Sequence, residues 1–568
     1  MVFGLHVADF VVLAVYLVGV TIIGAWAARW VHSMADYIMP RRFGKLILTL
    51  YAYGTGTHSD QAVGVAAKTY TNGLSGIWYQ WLNLFPTPFY WLIAPLLRRF
   101  RALTMGDVFE ARYGRGVAVL YALFGMLSLS VTMGTMLRGS GGVVAGATGG
   151  QVSDDLAIAV MTGMFLIYGM AGGLAAAIIT DFVQGVLTIV FSFMLLPPIW
   201  QAVGGMQGLR QSITDPAMFS LIAPREINLF YIVMTSFSVL VGIVTQPHTM
   251  GNCASGRTEM DGAVGFMGGS FIKRISTIAW CLTGFAAVAY FAGRDIQPND
   301  IYGVAAAEFL PKIGAGMVGL FLASLLASVM SSCDSFMIAS AALFTENIYK
   351  RVLPGRTQRH YIWVARAATF GVVVAGLGFA YWLPDVVKGL EIFWEITPMM
   401  GIAFWLGLYW RGATPAGAWA ATLVGFAVLW LTRQGFWAQW LGTLPVAESW
   451  RLVFGQGERA QMYMPWRMVS YLSAGTLAGI VVSLLTRPVA QEALDRFYAV
   501  VRTPVRPGEP QPSAPCRLPE GVLPAPRRVL LPARSLEIPI PSARAVIGFA
   551  VGWVLVAAII GVFVWITQ

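Results

Sequence analysis

The stretch Leu46-Ile-Leu-Thr-Leu-Tyr51-Ala-Tyr-Gly54-Thr55-Gly56-Thr57-His58-Ser59-Asp60-Gln-Ala-Val-Gly-Val-Ala-Ala67 decides how this chain is read. Apolar segments of roughly 17–25 residues are the length a helix needs to cross the hydrocarbon layer of a bilayer. The middle of this one carries two glycines flanked by hydroxyls, an imidazole and a carboxylate. Glycine weakens the helix there, and backbone groups freed in hydrocarbon have to find partners. An unwound turn at this point exposes carbonyls that bind a cation or a solute, as the discontinuous helices of transporters do. The same glycines could instead serve close packing between helices.

The rest of the chain agrees with a membrane reading. Of 568 residues 57% are hydrophobic and only 11% charged, against about 25% charged in soluble domains. There are too few charges to cover a soluble enzyme of this size. Fourteen apolar segments are long enough to span, from Phe10–Ala28 through Leu46–Ala67, Ile77–Leu97, Leu156–Met170 and Val264–Ala292 to Ala545–Ile566. The fold class expected is all-α, a polytopic membrane protein with about 14 transmembrane helices. The net charge of +11 sits in alternate loops: Arg29, Arg41, Arg42 and Lys45; Arg98, Arg99, Arg101, Arg112 and Arg115; Lys350, Arg351, Arg356 and Arg359. The positive-inside rule makes these loops cytoplasmic and places both termini on the other side of the cell (inner) membrane. A basic excess distributed in this way points to loop orientation and lipid, not to nucleic acid. Cys253, Cys281, Cys333 and Cys516 lack metal-ligand spacing, so neither a zinc site nor a disulfide framework is expected.

One segment departs from the pattern. Residues 487–543 contain 12 of the 29 prolines and eight arginines, with no run able to cross a bilayer. Such composition reads as a flexible, extended cytoplasmic connector whose arginines could also meet lipid headgroups. The organisation expected is a first helix and loop (1–44), a ten-helix core (45–411), two accessory helices (412–486), the connector (487–543) and a last helix (544–568).

Ionisable residues inside a membrane are costly and mark functional sites. Those read as intramembrane are His58, Asp60, Arg138, Asp181, His248, Asp334, Glu391 and Glu395. A cation or a proton is the simplest neutraliser of the aspartates, which points to ion coupling. Ser328, Ser331, Ser332 and Ser335 recur at i, i+3, i+4 and i+7, so four hydroxyls share one helical face, with Asp334 beside them. Hydroxyls and carbonyls are the hard ligands a sodium ion requires; the alternative is a small-residue packing stripe. Arg138 could grip a carboxylate through two parallel hydrogen bonds, or pair with Glu395 or Glu391. His58 and Asp60 could relay protons, or be packed, hydrogen-bonded groups.

Four patches resemble the sodium:solute symporters, whose members include transporters of proline, glucose, monocarboxylates and sialic acid. They are Tyr168–Gln184, with its Gly-Gly turn and Thr180-Asp181-Phe-Val-Gln184; Ser328–Ser332 continuing to Phe344-Thr-Glu-Asn-Ile-Tyr-Lys350; Thr104–Gly114; and Pro398–Gly412. The resemblance covers roughly Phe10 to Leu485. It implies a LeuT-like fold of inverted five-helix repeats, about Leu46–Trp200 and Leu229–Tyr409. It also implies a sodium site made by carbonyls near Gly54 and Thr57 with Ser328, Ser331 and Ser332. A second sodium site, as in sialic acid members, would use Asp181, Asp334 and Ser335; aspartate at 334 departs from the usual hydroxyl, and Asp181 could instead be purely structural. Substrate contacts implied by position are Gln80, Asn83, Arg138, Gln246 and His248, beside Thr55, Thr57, His58, Ser59 and Asp60 at the unwound turn.

The function expected is a sodium-coupled symporter importing a small organic solute, a sugar acid or other carboxylate, by alternating access, with Na+ as the only cofactor. Its partners are the solute and membrane lipid, with no nucleic acid and no obligate protein. A proton-coupled transporter or a transporter-like membrane sensor is the alternative. No acid/base or metal motif suggests an enzyme.

Overall fold

A computed structural model describes residues 4–28, 39, 41–169, 173–223, 226–455, 460–510, 512–531 and 533–568. Arg29 of the first basic loop and residues 170–172 of the Gly-Gly turn lie outside the described residues. The described chain is helical apart from one two-stranded antiparallel ladder pairing Val453 with Met462 and Phe454 with Gln461. Its surface is apolar where a soluble protein's would be polar: Leu485 and Trp565 are 80% and 76% exposed, while Arg467 and Glu395 are buried. That inversion is what a hydrocarbon surrounding selects.

Among the described residues ten helices are long and apolar enough to cross a membrane, or eleven when one bent pair is taken as a single span. The three remaining expected segments fold as helices that are divided or shorter. Leu46–Ala67 is split between α1 (Lys45–Gly56) and α2 (Ser59–Asn72). Ile77–Leu97 becomes short turns followed by a helix over Thr87–Arg99. Leu156–Met170 lies within the 16-residue helix Asp154–Gly169.

The site is framed by α1 and α2 together with α3 (Gly173–Phe193), α4 (Leu229–Ile243), α5 (Pro247–Ala254), α6 (Glu259–Tyr290), α7 (Met317–Ala342) and α8 (Val386–Ile396). The α4 and α5 pair bends by 71°. Pro247 opens α5 at a position where its missing N–H leaves no hydrogen bond unmade. Thus α1–α2 and α4–α5 are both broken helices.

The sequence patches lock onto one another. Thr104 and Asp107 form a capping box at the start of the helix Met105–Tyr113. Asn347 donates to Asp107 (3.0 Å) and accepts from Thr104 (2.8 Å). A Cβ on Gly106 would lie 2.4 Å from the Asn347 amide oxygen, so only glycine lets this side chain approach. Arg112 then donates to the carbonyls of Gly407 (2.7 Å) and Trp410 (2.9 Å), joining the third patch.

Residues 487–543 depart from the expectation of a flexible connector. Gln491–Arg502 is an amphipathic helix burying Leu494, Phe497, Tyr498 and Val500, and the Tyr498 hydroxyl donates to Gly407 O at 2.7 Å. Beyond it Arg101 donates to Thr503 O (3.2 Å), Pro504 O (3.3 Å) and Glu509 Oε2 (2.9 Å). Further along, Glu537 N bonds Tyr409 O at 2.9 Å and Arg411 N bonds Ser535 O at 2.8 Å. The segment lacks apolar residues for a core of its own, but it borrows the end of the bundle. The carbonyl of Pro504 accepts from Arg101 although proline itself donates nothing.

Candidate functional site

The break between α1 and α2 consists of Thr57 and His58 in extended conformation (φ −123°, ψ 107° and φ −121°, ψ 162°). Each neighbouring carbonyl is met from a different direction. Gly54 O accepts from Thr57 N at 3.2 Å, and the Ser332 hydroxyl lies 3.5 Å from Gly54 O and 3.4 Å from Thr55 O. Gly56 O accepts from the Lys273 ammonium. The His58 imidazole and Gln61 close a capping box over the first turn of α2.

On the α7 side the surroundings are hydroxyls and carboxylates. Ser328, Ser331 and Ser332 are fully buried, as is Asp181 on α3. The hydroxyls of Thr57 and Ser331, both carboxylate oxygens of Asp181 and one of Asp334 are buried without a hydrogen-bond partner among the described residues. A Cβ at Gly54 would stand 2.9 Å from Ser331 Oγ, so the glycine keeps clear the space these oxygens face. The Ser335 hydroxyl is paired with the Tyr51 hydroxyl at 3.1 Å. Buried oxygens without donors are costly unless a cation or water completes them. The donor set fits a hard monovalent cation.

On the other side of the break a cavity of about 90 Å³ opens among the two breaks, α6 and α8. That is space for a handful of water molecules. His58, Asp60, Gln80, Asn83, Gln246 and His248, all expected site residues, line it together with Lys273, Arg274 and the rings of Tyr90, Phe336, Phe393 and Trp394. His58 Nδ1 is 3.1 Å from Asp60 Oδ1. The His58 and His248 rings flank Phe336 at 5.9 Å and 5.1 Å.

Other expected residues are turned elsewhere. Thr55 donates to Asn252 Oδ1 at 3.1 Å, tying the first broken helix to the second. Ser59 pairs with Ser140, and Thr57 is buried but is not among the cavity-lining residues. Arg138 is not among the cavity-lining residues; its guanidinium is 3.9 Å from Asp154 and 4.0 Å from Asp155, at the start of the next helix. The expected pairing of Arg138 with Glu395 or Glu391 is not formed either. Glu395 is held by Arg433 and Arg467, while Glu391 accepts from Tyr79 at 3.1 Å and lies 3.5 Å from Lys388. The depth of Arg138 along its helix was legible in the sequence, but its direction was not.

Lys273 and Arg274 are the residues that the sequence reading passes over. They sit inside the span Val264–Ala292, whose apolar length hides a charged pair. They are 8% and 3% exposed. Arg274 donates to the carbonyls of Gln80 and, at 3.3 Å, Ser270. Among the described residues neither cation has a carboxylate within ion-pair distance. The available signal was the adjacent pair itself, two charges at mid-helix where cost demands a purpose.

The sequence profile of the sodium:solute symporter family matches residues 36–425. The sodium/pantothenate symporter of Escherichia coli (strain K12) is 26% identical over 465 residues, covering 77% of this chain and 92% of that protein. The sodium/proline symporter of Haemophilus influenzae is 24% identical over 535 residues, 86% of this chain and 96% of the relative. Among solved structures, a Na+-coupled sialic acid symporter in a substrate-bound outward-open state superposes with a TM-score of 0.70 at 17% identity, over 85% of this chain and 99% of its own. Mhp1, a nucleobase-cation-symport-1 family transporter, gives a TM-score of 0.50 at 13% identity, over 81% and 98%. These likenesses give the broken helices their architecture, the LeuT-like transporter fold. With the profile spanning most of the chain, this protein belongs to the sodium:solute symporter family, membrane transporters rather than enzymes, in which sodium is the coupling ion.

Proposed function

We propose that this protein couples inward sodium movement to the import of a small organic solute bearing a carboxylate, a sugar acid or a related acid, by alternating access. The observation that carries the reading is the pair Lys273 and Arg274, two buried cations at the cavity that donate to carbonyls. Among the described residues neither has a carboxylate within ion-pair distance, the cavity's Asp60 being paired with His58. A solute carboxylate supplies the missing charge, and charge-assisted hydrogen bonds in a buried site are strong. The solutes named for the relatives, pantothenate, proline and sialic acid, all carry a carboxylate. The remaining polar groups, Gln80, Asn83, Gln246, His58, His248 and Asp60, suit hydroxyl, amide or amino functions on the same solute.

Sodium in this reading binds the carbonyls near Gly54 and Thr57 with Ser328, Ser331 and Ser332, holding α7 to the broken α1. Asp181, Asp334 and Ser335 serve a second sodium. Binding of sodium favours the outward-open state and solute binding permits closure. One sodium with a monovalent anion is electroneutral, whereas two carry one net charge inward, worth about 2.3 kcal/mol per 100 mV. Sodium coupling is preferred to a proton-coupled carrier or a transporter-like sensor because the family and its named relatives are sodium symporters.

The basic loops are cytoplasmic and both termini extracytoplasmic in the inner membrane. Gly4 packs on Thr148, at the far end of the helix that begins at Arg115, and Thr567 O accepts from Arg210, away from Arg98 and Arg101.

Thermal stabilisation of the purified protein by carboxylates, sugar acids, neutral sugars and amines, each in sodium and in potassium, tests the proposal. Stabilisation is expected with one carboxylate class and in sodium only, since a ligand of the folded state raises stability by mass action. Equal shifts in both salts, or shifts with neutral sugars alone, would refute it.

A further inference from the structure

A second and larger cavity, about 830 Å³, lies at the end of the bundle where the basic loops gather. Five cations line it: Arg41 and Lys45 before and at the start of α1, Arg98 at the end of Thr87–Arg99, Arg257 between α5 and α6, and Arg506 from the segment after the amphipathic helix. Its two acids are already engaged. Asp261 caps α6 through Thr258 N and Oγ1 at 3.0 Å and 2.8 Å. Glu509 is taken by Arg101. The side chains of Lys45, Arg257 and Arg506 have no acidic partner among the described residues, and the Arg41 Nε is buried without an acceptor. Burial, and then the charges of Arg98 and Arg101, pull the Arg41 guanidinium down to about 10, still cationic at neutral pH but plainly short of an anion.

We propose that this cavity binds a phosphate-bearing polyanion. Its cations exceed its acids by three, more charge than a single carboxylate would balance, and arginine forks match phosphate oxygens in pairs. The walls come from three segments that the structure joins at this end of the bundle. Phe43 N bonds Ser255 O at 3.3 Å and Arg257 N bonds Phe43 O at 3.1 Å, joining the entry to α1 with the exit from α5. Residues 503–509 are strapped across the same end by Arg101 and by Glu259, which accepts from Val505 N at 2.8 Å. An anion shared by Lys45, Arg257 and Arg506 ties these three together and, resting on the alternating-access reading proposed above, holds this end of the bundle shut. The phosphate can come from an anionic lipid headgroup at the bilayer edge or from a soluble molecule.

The full-length protein in neutral detergent at low salt is titrated with inorganic pyrophosphate and, separately, reconstituted with phosphatidylcholine containing cardiolipin, whose headgroup carries two phosphates, or with phosphatidylcholine alone. Melting temperature and amide hydrogen exchange at residues 43–45, 255–258 and 503–509 are followed. Stabilisation with slowed exchange in these segments is expected. A response to pyrophosphate assigns a soluble phosphate, and a response to cardiolipin alone assigns the headgroup. Arg257→Gln with Arg506→Gln should weaken the response at least about tenfold, the scale of one lost charged hydrogen bond. If that pair of changes prevents folding, Lys45→Gln, which breaks no ion pair, should weaken it by about threefold or more. No response to either probe in the unaltered protein, or an undiminished one in the variants, overturns the proposal.

Discussion

The two sides of the break between α1 and α2 are built from opposite chemistry. Toward α3 and α7 the residues are hydroxyls, carbonyls and carboxylates, with oxygens of Ser331, Asp181 and Asp334 buried without a hydrogen-bond partner among the described residues. Toward α6 the cations Lys273 and Arg274 stand over the cavity, with Asp60 paired to His58 beside them. One short run of backbone serves both, since Gly54 O faces Ser332 while Gly56 O is held by Lys273. In the proposed reading a cation on one face and an anion on the other would bind across two residues of shared main chain, so that each would favour the other through a coupling free energy that is necessarily reciprocal.

The comparison breaks most sharply at Arg274. Replacing it with glutamine should weaken carboxylate solutes by about ten- to a hundredfold, the range for a lost hydrogen bond to a charged group. Binding of a neutral analogue of the same shape should hardly change; calorimetry on the two ligands decides. Equal losses for both would remove Arg274 from carboxylate recognition. A smaller effect is expected on the opposite face. Ser331→Ala deletes one hydroxyl ligand and should raise the sodium concentration for half-maximal stabilisation roughly tenfold, without altering the ratio of carboxylate to neutral binding. Unchanged sodium dependence would take α7 out of the ion site. The smallest effect belongs to Arg138→Lys. Its partners are distant and partly exposed, and such pairs contribute about 0–1 kcal/mol, so carboxylate affinity measured in the same experiment should move less than about threefold. A loss as large as that at Arg274 would return Arg138 to the solute path.

The helices, the weak point in the second one and the hydroxyl face of the ninth segment were legible because they are local: apolar length, glycine content and a 3.6-residue period. The four patches were read through their resemblance to a family, and three of them meet in the structure, Gly106 against Asn347 and Arg112 on Gly407. Arg138 and the pair Lys273–Arg274 show where such reading stops. All three lie in long apolar helices, yet the first points to a neighbouring helix start and the other two to the cavity.

By itself, then, the sequence determined a polytopic helical membrane protein with a broken second helix, a serine-lined partner for it and membership in a symporter family. Only the tertiary structure decided which charges face the solute cavity, that Glu395 belongs to Arg433 and Arg467, and that residues 487–543 are strapped to the bundle. The physical reason is that periodicity assigns a residue to a face of its helix, while the partner of that face is chosen by packing between segments tens to hundreds of residues apart. A buried charge takes its meaning from that partner.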